Sequence, residues 1–388
     1  MSTEHEIEIK ELLAKLDAGE PLLLVDVRND DEYEKWQIEG RRPFKVTHVP
    51  YFDFIEEEHE AVGRIPKHTG DVVVVCAKGG SSQMVAEILR GSRVPARNLT
   101  GGMIAYGEYL DPVKVPLEDG EANGPEIWQF NRRGKGCLSY VILSCGEAVI
   151  IDASRAIEIY ESFIVGANAR LAYVFDTHVH ADHISGGPEL AARSGAPYFV
   201  RGGSGFNLQQ RTSSLKDNDE LRLGKTSIRV LATPGHTPGS VCYFLANHYL
   251  LSGDTLFKTA VGRPDLGGNV IEWSQDLFRT LHERIAPLDD STVVLPAHYA
   301  TIAEIGANGV VSATLGDLRR DLSELRVSDL ALFREVMQRA VRTPPPEYAD
   351  IINTNLGKTQ TDPAHAVEWE LGKNECAASV THQSSERR

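Results

Sequence analysis

Long apolar runs, an excess of basic charge and a disulfide framework are all missing from this chain of 388 residues. No apolar stretch reaches the roughly 18 residues that a membrane span needs, so a membrane protein is not expected. The formal net charge of −15 disfavours nucleic acid and acidic membranes as partners, because both require a basic face. The five cysteines are odd in number and scattered, which does not predict disulfide pairing.

The first residues, MSTEHEIEIKELL, are acidic and amphipathic, and they lack the basic start and apolar core of a signal peptide. Together with the cysteine usage, they predict a reduced, cytoplasmic, enzyme-like protein whose partners are small molecules. The length predicts two or three domains, because single cores seldom grow with a chain of this size. A homo-oligomer is compatible with the sequence, which does not fix the oligomeric state.

Residues 1–112 alternate between strand and helix signals. The segments PLLLVDV (21–27) and DVVVVCA (71–77) are short apolar runs, as expected of parallel strands buried on both faces. A first helix is expected where four apolar residues recur at helical spacing, at Ile9, Leu12, Leu13 and Leu16. We therefore predict a small α/β domain with a parallel sheet.

The rest of the chain differs in pattern. Residues 113–125 are rich in proline, glycine and acidic side chains and predict a linker. From residue 126 to 364, many short strands with turn signals alternate with helix-like stretches, which favours two sheets covered by helices. The last segment, 365–388, ends in polar residues and is predicted to be disordered.

The loop CAKGGS (76–81) leads from the second apolar run directly into a helix pattern. Its glycines let backbone N–H groups converge, and the helix N-terminus and Lys78 add positive charge, so the sulfur of Cys76 can carry an anion. An inert buried cysteine is the alternative, but the glycine-rich loop argues against it. A cysteine phosphatase would need an arginine at the position of Ser82, so the loop suits one extra sulfur better than a phosphate.

With LLLVDVRNDDEY (22–33) and NLTGGMIAYG (98–107), this loop resembles the rhodanese family of sulfurtransferases. The resemblance implies that Cys76 is the catalytic nucleophile that carries sulfur, exchanging it among thiosulfate, sulfite and thiols. It also implies a persulfide cradle made by Ala77, Lys78, Gly79, Gly80, Ser81 and Ser82.

The segment FDTHVHADHISGG (175–187) concentrates histidines and aspartates at the end of an apolar run. His178 and His180 are two residues apart, so in an extended backbone they point the same way. Such groups compete for protons on one short segment unless a cation organises them. Further candidate ligands follow strands or lie in tight turns: His236 in TPGHTPGS, Asp254 in YLLSGDTLF and His298 in VVLPAHY.

This set resembles the metallo-β-lactamase superfamily over roughly residues 126 to 302, which implies an αββα sandwich. In its dinuclear hydrolases, one metal would be bound by His178, His180 and His236. The other would be bound by Asp182, His183 and His298, with Asp254 as the bridge. The motif therefore leaves open a glyoxalase-II-like thioester hydrolase with one or two zinc ions.

The segments around these ligands, and PPPEYADIINTNLG (344–357), are similar to the persulfide dioxygenase branch. That similarity implies one Fe(II) per chain, held by His178, His236 and Asp254, the ligand types of the facial triad. The remaining ligand-type residues would orient the ligands and set polarity: His180, Asp182, His183 and His298.

Two residues are candidate substrate contacts, Arg263 in GRPDL and Tyr299 in PAHY. The Asn-Pro-Arg segment of that branch has no clear match in LGDLRRDLSELRV (315–327), so glutathione persulfide is not expected to be the only substrate.

The combined prediction is a bifunctional sulfur-metabolism enzyme. It would oxidise a low-molecular-weight persulfide with O2 to sulfite and thiol, and transfer sulfur through Cys76. The zinc hydrolase with a fused rhodanese domain is the first alternative. In the second alternative, the rhodanese domain is catalytically idle and senses persulfide.

Overall fold

The computed structural model describes residues 3–117, 124–203, 205–210, 212–266 and 268–378. These residues form two compact units, which are described separately. The first unit contains the chain up to Tyr109, together with the short pieces Arg132–Lys135 and Leu371–Lys373. The second unit contains Leu110–Asn131, Gly136–Glu370 and the chain from Asn374 onward.

A parallel sheet organises the first unit. Its strands are β1 (Glu6–Ile7), β2 (Leu22–Asp26), β3 (Lys45–His48), β4 (Asp71–Val75) and β5 (Ala96–Leu99). They lie in the order β1-β5-β4-β2-β3, and each described pairing is parallel. Alternate residues of β2 and β4 enter apolar cores on opposite faces of the sheet. The predicted burial of both faces is therefore confirmed.

Helices lie between these strands in the chain, and one more helix follows β5. They are α1 (Ile9–Ala18), α2 (Asp30–Lys35), α3 (Tyr51–Glu56), α4 (Glu58–Gly63), α5 (Gly80–Gly91) and α6 (Gly102–Glu108). The apolar residues predicted for α1 are all buried, and the helix ends at Gly19, whose φ of 72° is the left-handed conformation of a helix C-cap. Because α5 starts directly after the loop that follows β4, the loop faces a helix N-terminus, as the sequence predicts.

Two mixed sheets organise the second unit. One has the order β11-β10-β9-β8-β7-β6 and the other β12-β13-β14-β15-β17-β18, while β16 and β19 form a separate pair. The strands are β6 (Asp111–Lys114), β7 (Glu126–Arg132), β8 (Cys137–Ser144), β9 (Glu147–Ile151), β10 (Arg170–Phe175), β11 (Tyr198–Phe199), β12 (Glu220–Leu223), β13 (Thr226–Ala232), β14 (Val241–Leu245), β15 (Tyr249–Gly253), β16 (Val261–Gly262), β17 (Val293–Pro296), β18 (Ala313–Thr314) and β19 (Ala377–Ala378).

Three apolar layers show how these sheets pack. Ile142 and Ile151 of one sheet share a core with Val230 and Leu295 of the other, so the two sheets face each other. The helices of this unit are α7 (Ile157–Gly166), α8 (Gly187–Ser194), α9 (Val270–Arg279), α10 (Leu315–Asp321), α11 (Leu330–Arg339), α12 (Glu347–Asn355) and α13 (Pro363–Trp369). α7 and α8 pack on the first sheet, whereas α9, α10 and α11 pack on the second. The predicted αββα sandwich is confirmed.

Two predicted boundaries differ from the structure. β6 pairs with β7, so the sandwich begins before the predicted linker does, and residues 118–123 of that linker lie outside the described residues. The predicted disordered tail is wrong for residues 365–378, because they include part of α13, the buried Cys376 and β19, which pairs with β16. Residues 379–388 lie outside the described residues. In the described ranges, no helix has the length and apolar character to cross a bilayer.

Candidate metal centre and sulfur-transfer site

The histidine segment leaves the end of β10 and is anchored by backbone and side-chain hydrogen bonds. Val241 N–H donates to the Thr177 carbonyl (2.8 Å), and the Asp152 carboxylate accepts hydrogen bonds from Thr177 N–H (2.7 Å) and Thr177 Oγ1 (2.9 Å). The loop is buried because it lies between strand ends of both sheets. The sequence pattern could show the strand end, but not the anchoring by Asp152.

The first group of donor atoms comes from His178, His236 and Asp254, as predicted. Their ligand atoms all lie within 4.8 Å of one another, and all three residues are buried. The Nε2 atoms of His178 and His236 lie 3.7 and 3.4 Å from Asp254 Oδ2. Within the described part of the chain, neither Nε2 atom nor Asp254 Oδ2 has a hydrogen-bond partner. Buried polar atoms without partners are rare, and these three are of the kind that binds a cation.

Hydrogen bonds on the far side of each imidazole fix the tautomer. His236 Nδ1 lies 2.9 Å from the Arg263 carbonyl, which can only accept, so Nδ1 carries the proton. Thr177 Oγ1 gives its own proton to Asp152 and lies 2.9 Å from His178 Nδ1, so that nitrogen donates as well. Both Nε2 lone pairs are then free for a metal ion.

His180 lies beside His178 but outside the first donor group. Its Nε2 lies 3.1 Å from Asp152 Oδ1, and its Nδ1 has no partner among the described residues. The ring centroid lies 4.3 Å from that of His178. His180 is thus oriented by a carboxylate and keeps one nitrogen available as a further ligand.

The second donor group is Asp182, His183 and His298, joined by Cys137, which the sequence analysis did not single out. All four residues are buried, and their ligand atoms lie within 4.8 Å of one another. Asp182 Oδ2 lies 3.0 Å from both His298 Nε2 and Cys137 Sγ, and Asp182 Oδ1 lies 3.2 Å from His183 Nδ1. Unlike the first group, this group satisfies the Asp182 carboxylate internally.

The two groups also differ in charge. Burial lowers the pKa of His178 well below its usual value and also lowers the pKa of His236, so both are neutral. Burial acts in the same direction on His183, but Asp182 outweighs it and raises the pKa of His183 to about 10. For His298, burial is likewise outweighed by Asp254 and Asp182, and its pKa is raised well above the usual value. Without a metal ion, both histidines of the second group are therefore protonated.

A C-terminal segment holds the histidine loop by its backbone. Asn355 Nδ2 donates to the carbonyls of His180 (2.9 Å) and His183 (2.8 Å), and Asn355 Oδ1 accepts from Ser185 N–H (2.9 Å). Glu370 Oε1 accepts from Ile184 N–H (2.8 Å). Asn355 belongs to the segment 344–357, so this part of the sequence holds the histidine loop directly. The sequence carried no signal for the individual partners.

The two candidate substrate contacts are buried and engaged with protein groups. The Arg263 guanidinium pairs with Asp265 through Nε and Nη2, both at 2.6 Å, and it also donates to the Glu375 carbonyl. Tyr299 Oη donates to Asn131 Oδ1 (2.9 Å). These contacts favour a structural role for both residues. For Arg263, the GRPD sequence already placed a carboxylate two residues away.

The second unit also contains a pocket of about 440 Å³. Aromatic and apolar side chains line most of it, including Phe206, Trp273 and Tyr348, and Lys358 supplies a cation. Tyr348 also packs with Ala181 of the histidine loop and with the buried Cys376. The pocket wall is therefore continuous with the metal-ligand loop.

In the first unit, Cys76 lies 5% exposed at the end of β4. Its Sγ accepts hydrogen bonds from Gly79 N–H (3.1 Å) and Ser82 Oγ (3.1 Å), so two of the predicted cradle residues contact the sulfur directly. The other predicted cradle residues contribute the surrounding loop and the first turn of α5: Ala77, Lys78, Gly80 and Ser81.

The segment NLTGGMIAYG (98–107) holds this loop through backbone hydrogen bonds. Met103 N–H donates to the Cys76 carbonyl (2.9 Å) and Ile104 N–H donates to the Ala77 carbonyl (3.1 Å). Gly102 has a φ of +57°, and a Cβ there would lie 2.2 Å from the Cys76 carbonyl oxygen. Only glycine allows α6 to approach so closely, which gives this part of the sequence motif a physical reason.

Each unit of the chain matches the model of a known protein family. The rhodanese-like domain model matches residues 8–108, and the metallo-beta-lactamase superfamily model matches residues 132–298. Hydroxyacylglutathione hydrolase of Acidiphilium cryptum (strain JF-5) is 35% identical over 152 residues, which are 39% of this chain and 58% of that protein. The human mitochondrial persulfide dioxygenase ETHE1 is 33% identical over 158 residues, which are 39% of this chain and 59% of that protein.

The chain thus spans less than two thirds of the length of either relative. Among solved structures, ETHE1 from Myxococcus xanthus aligns with a TM-score of 0.51 and 26% sequence identity, covering 60% of this chain and 98% of that one. The relatives of this chain therefore include a protein named as a hydrolase and one named as a dioxygenase. The chain belongs to the metallo-beta-lactamase superfamily and carries a rhodanese-like domain ahead of its αββα sandwich.

Proposed function

We propose that the sandwich is a mononuclear Fe(II) persulfide dioxygenase and that Cys76 transfers sulfane sulfur. The overall reaction would be R–S–SH + O2 + H2O → R–SH + SO3²⁻ + 2 H⁺. The observation that carries the proposal is the contrast between the donor groups. Ligand atoms without a hydrogen-bond partner occur on His178, His236 and Asp254. In contrast, the Asp182 carboxylate accepts hydrogen bonds from other members of its own group.

The residues of the first group fit Fe(II) by type and by number. Two neutral imidazoles and one carboxylate are the ligands of non-haem iron oxygenases, which leave coordination positions open. When bound, Fe(II) would supply the redox chemistry for activating O2. The backbone carbonyl of Arg263 and the hydroxyl of Thr177 keep the imidazoles in the tautomer that can bind it.

The remaining buried residues would shape the site around the substrate. His298 and His183 would be protonated through their contacts with the Asp182 carboxylate. Their positive charge would stabilise negative charge that develops on the sulfur oxygens. Tyr348 joins the loop to the pocket, whose apolar walls and Lys358 suit the organic part of an anionic, low-molecular-weight thiol carrier.

The chemistry of Cys76 would be two balanced displacements. In the first, the Cys76 thiolate attacks the outer sulfur of thiosulfate, the S–S bond to the sulfite group breaks, and sulfite leaves with the bonding pair. In the second, a thiolate carrier attacks the outer sulfur of the Cys76 persulfide, releasing R–S–S⁻ and the Cys76 thiolate. Gly79 N–H and Ser82 Oγ would stabilise the anionic sulfur in both steps.

A zinc-dependent thioester hydrolase remains a second candidate, since His180 Nδ1 is also open and a hydroxyacylglutathione hydrolase is among the relatives. Metal analysis and turnover decide between the two. We expect about one iron per chain and one sulfite released per O2 consumed with a preformed persulfide. Two zinc ions per chain with fast thioester hydrolysis and no O2 uptake would reject the dioxygenase.

The alternative in which the rhodanese domain is catalytically idle and senses persulfide concerns only the first unit. Thiosulfate-to-thiol or thiosulfate-to-cyanide sulfur transfer that depends on Cys76 would reject it. If the folded protein shows no such transfer, Cys76 is a binding residue rather than a nucleophile.

A further inference from the structure

We propose that the surface of helices α3 and α4 docks a basic protein that exchanges sulfur with Cys76 through a cysteine of its own. The side chains of this surface are exposed or half-buried, and we name it the α3–α4 surface: Tyr51, Phe52, Ile55, Glu56, Glu57, Glu58 and Glu60. The sulfur exchange rests on the proposed function of Cys76, whereas the docking does not.

Backbone hydrogen bonds place the start of α3 close to Cys76. Val27 N–H donates to the Val75 carbonyl (2.9 Å), and Tyr51 N–H donates to the Val27 carbonyl (2.9 Å). Because adjacent strands lie about 4.8 Å apart, Tyr51 is roughly 10 Å from the backbone next to Cys76. Phe54, on the buried face of α3, packs in one apolar core with Cys76. A protein bound to the exposed face of α3 would therefore lie beside the Cys76 loop.

The exposed face of α3 is apolar. Phe52 is 49% exposed and Ile55 is 57% exposed. The two residues are three apart in the helix, so they are neighbours on its surface. The ring centroid of Tyr51 lies 4.1 Å from that of Phe52, which widens this apolar area. Exposed apolar side chains that lie together mark contact sites, because their contact with water is unfavourable.

Negative charge surrounds this apolar area. The four glutamates of the α3–α4 surface are exposed, and none of them forms an ion pair with another described residue. Arg64 pairs with Asp53 instead. A hydrogen bond with Glu60, and the negative charge of Glu60, raise the pKa of Glu57. The like charges are thus close enough to repel one another, and a bound basic group would relieve that repulsion.

This charge identifies the occupant. A partner whose lysines or arginines flank an apolar contact is complementary to the α3–α4 surface. A second copy of this chain is not complementary, because its net charge of −15 has the same sign. Anionic low-molecular-weight thiols are repelled for the same reason. The surface therefore fits a basic protein rather than a free thiol or another copy of the chain.

The exchange is a displacement that needs no oxidant. The thiolate of the partner attacks the outer sulfur of the Cys76 persulfide, and the S–S bond breaks. Cys76 leaves as a thiolate with the bonding pair, and the partner keeps the outer sulfur and its proton as a persulfide. The reverse reaction loads Cys76 from a persulfide of the partner. Gly79 N–H and Ser82 Oγ contact Sγ and would stabilise the Cys76 thiolate.

Docking is tested by binding, with the full-length protein and two fluorescent peptides. One peptide contains lysine, leucine and serine, and in the other glutamate replaces lysine. We expect the basic peptide to bind at least about tenfold more tightly at low ionic strength, and this preference to shrink at about 0.5 M salt because of screening. Equal affinities at low ionic strength would overturn the proposal, and this result requires no variant.

Two double variants locate the bound peptide. Phe52→Ala/Ile55→Ala removes the exposed apolar pair, and Glu56→Gln/Glu58→Gln removes two of the charges. Each should weaken binding of the basic peptide by about fivefold or more, because each removes part of the contact.

The matched controls lie in the second unit. Ile159→Ala/Val165→Ala removes two exposed apolar side chains, and Glu283→Gln/Asp289→Asn removes two exposed charges. Both controls should bind the basic peptide as the wild type does. If the variants of α3 and α4 bind it as tightly as these controls, the α3–α4 surface is not the docking site.

The C-terminal end of the chain is the alternative occupant, since Arg387 and Arg388 are basic. Arg387→Ala/Arg388→Ala should leave the affinity for the basic peptide unchanged. A rise in affinity would mean that this segment competes for the α3–α4 surface, and docking of a separate protein would be rejected.

Sulfur transfer is measured with the same peptides carrying cysteine in place of serine, after thiosulfate has loaded Cys76. The kcat/KM should be about tenfold higher for the basic peptide. Glu56→Gln/Glu58→Gln should lose this preference, while transfer to dithiothreitol, a neutral small thiol, stays unchanged. If no thiol accepts sulfur but the basic peptide binds as expected, the proposed function fails and the docking surface stands. If both peptides accept sulfur equally well, exchange with a basic partner is rejected.

Discussion

His236 donates its Nδ1 proton to the backbone carbonyl of Arg263 over 2.9 Å, and Arg263 is in turn fixed by Asp265. An arginine that sequence alone made a candidate substrate contact therefore orients a candidate metal ligand through its main chain. This contact couples the geometry of the metal site to a buried ion pair, because any shift of the Arg263 backbone moves the His236 ring.

The iron-ligand assignment predicts the effect of removing one ligand. Asp254→Ala and His236→Ala should each lose bound iron and O2 uptake, because two remaining ligands cannot compete with the hydration of Fe(II). Metal analysis of protein purified without O2 measures this, with Cys145→Ser as a control that retains iron. An Asp254→Ala protein with full iron content would contradict the assignment.

The loss of His183 should have a different effect. Since His183 contacts Asp182 and belongs to the second donor group, His183→Ala should retain iron and lower the rate of persulfide oxidation. Iron content and O2 uptake are measured on the same sample. Loss of iron in a folded His183→Ala protein would show that the second group belongs to the iron site.

The separation of the two activities predicts complementary variants, because each site is built from residues of one unit. Cys76→Ser should lose thiosulfate-to-thiol transfer and retain O2 uptake with a preformed persulfide, and Asp254→Ala should show the reverse. With thiosulfate and thiol as the only sulfur sources, a mixture of the two variants should restore O2 uptake if the persulfide diffuses freely.

A folded, iron-loaded Cys76→Ser protein that cannot oxidise a preformed persulfide would exclude separable sites. It would mean that sulfur must pass through Cys76 to reach the iron. Melting temperature and iron content are the controls for this variant.

Asn355 holds the backbone of the histidine loop, so its removal should lower metal affinity although every ligand residue is still present. Asn355→Ala removes hydrogen bonds to the carbonyls of His180 and His183, and iron affinity should fall by about 10- to 100-fold. Asn353→Ala on the same helix is the matched control and should keep wild-type affinity. Competition with a chelator provides the measurement, and equal affinities of the two variants would refute the clamp.

The pH dependence of the metal-free protein should report His183. A histidine whose pKa is raised on folding contributes stability that is fully present below its unfolded pKa of about 6.5 and is lost as pH rises through the folded pKa. For His183 that folded pKa is about 10. The melting temperatures of wild type and His183→Ala should therefore converge between about pH 6.5 and 10, and a constant difference would contradict the assigned contact with Asp182.

Local patterns predicted much of the fold and the candidate ligands. Continuous apolar runs indicated the parallel strands, and ligand-type residues at strand ends and tight turns indicated candidate ligands, whereas the selection of His178, His236 and Asp254 among them came from the resemblance to the persulfide dioxygenase branch. The Cys76 loop was predictable from the local pattern, since strand, glycines and helix follow one another directly in the chain.

Long-range register was not predictable. Cys137 reaches Asp182 only because β8 lies beside the segment after β17, and Asn355 and Glu370 reach the histidine loop from far along the chain. His180 shows the limit of local geometry, because its position beside His178 gives no sign of its hydrogen bond to Asp152. The prediction of disorder for residues 365–378 is wrong because it rests on their polar composition, which gives no sign that Cys376 is buried.

The contacts of Asn355, Glu370 and Cys376 also set an order of events during protein synthesis. The histidine loop leaves the ribosome more than 170 residues before Asn355 and Glu370, which hold its backbone, and before Cys376, which packs with Ala181 of the loop. A nascent chain would therefore complete the candidate metal centre only after residue 376 has been made. Release upstream of residue 355 would yield a chain that carries His178, His236 and Asp254 but lacks the residues that hold the histidine loop.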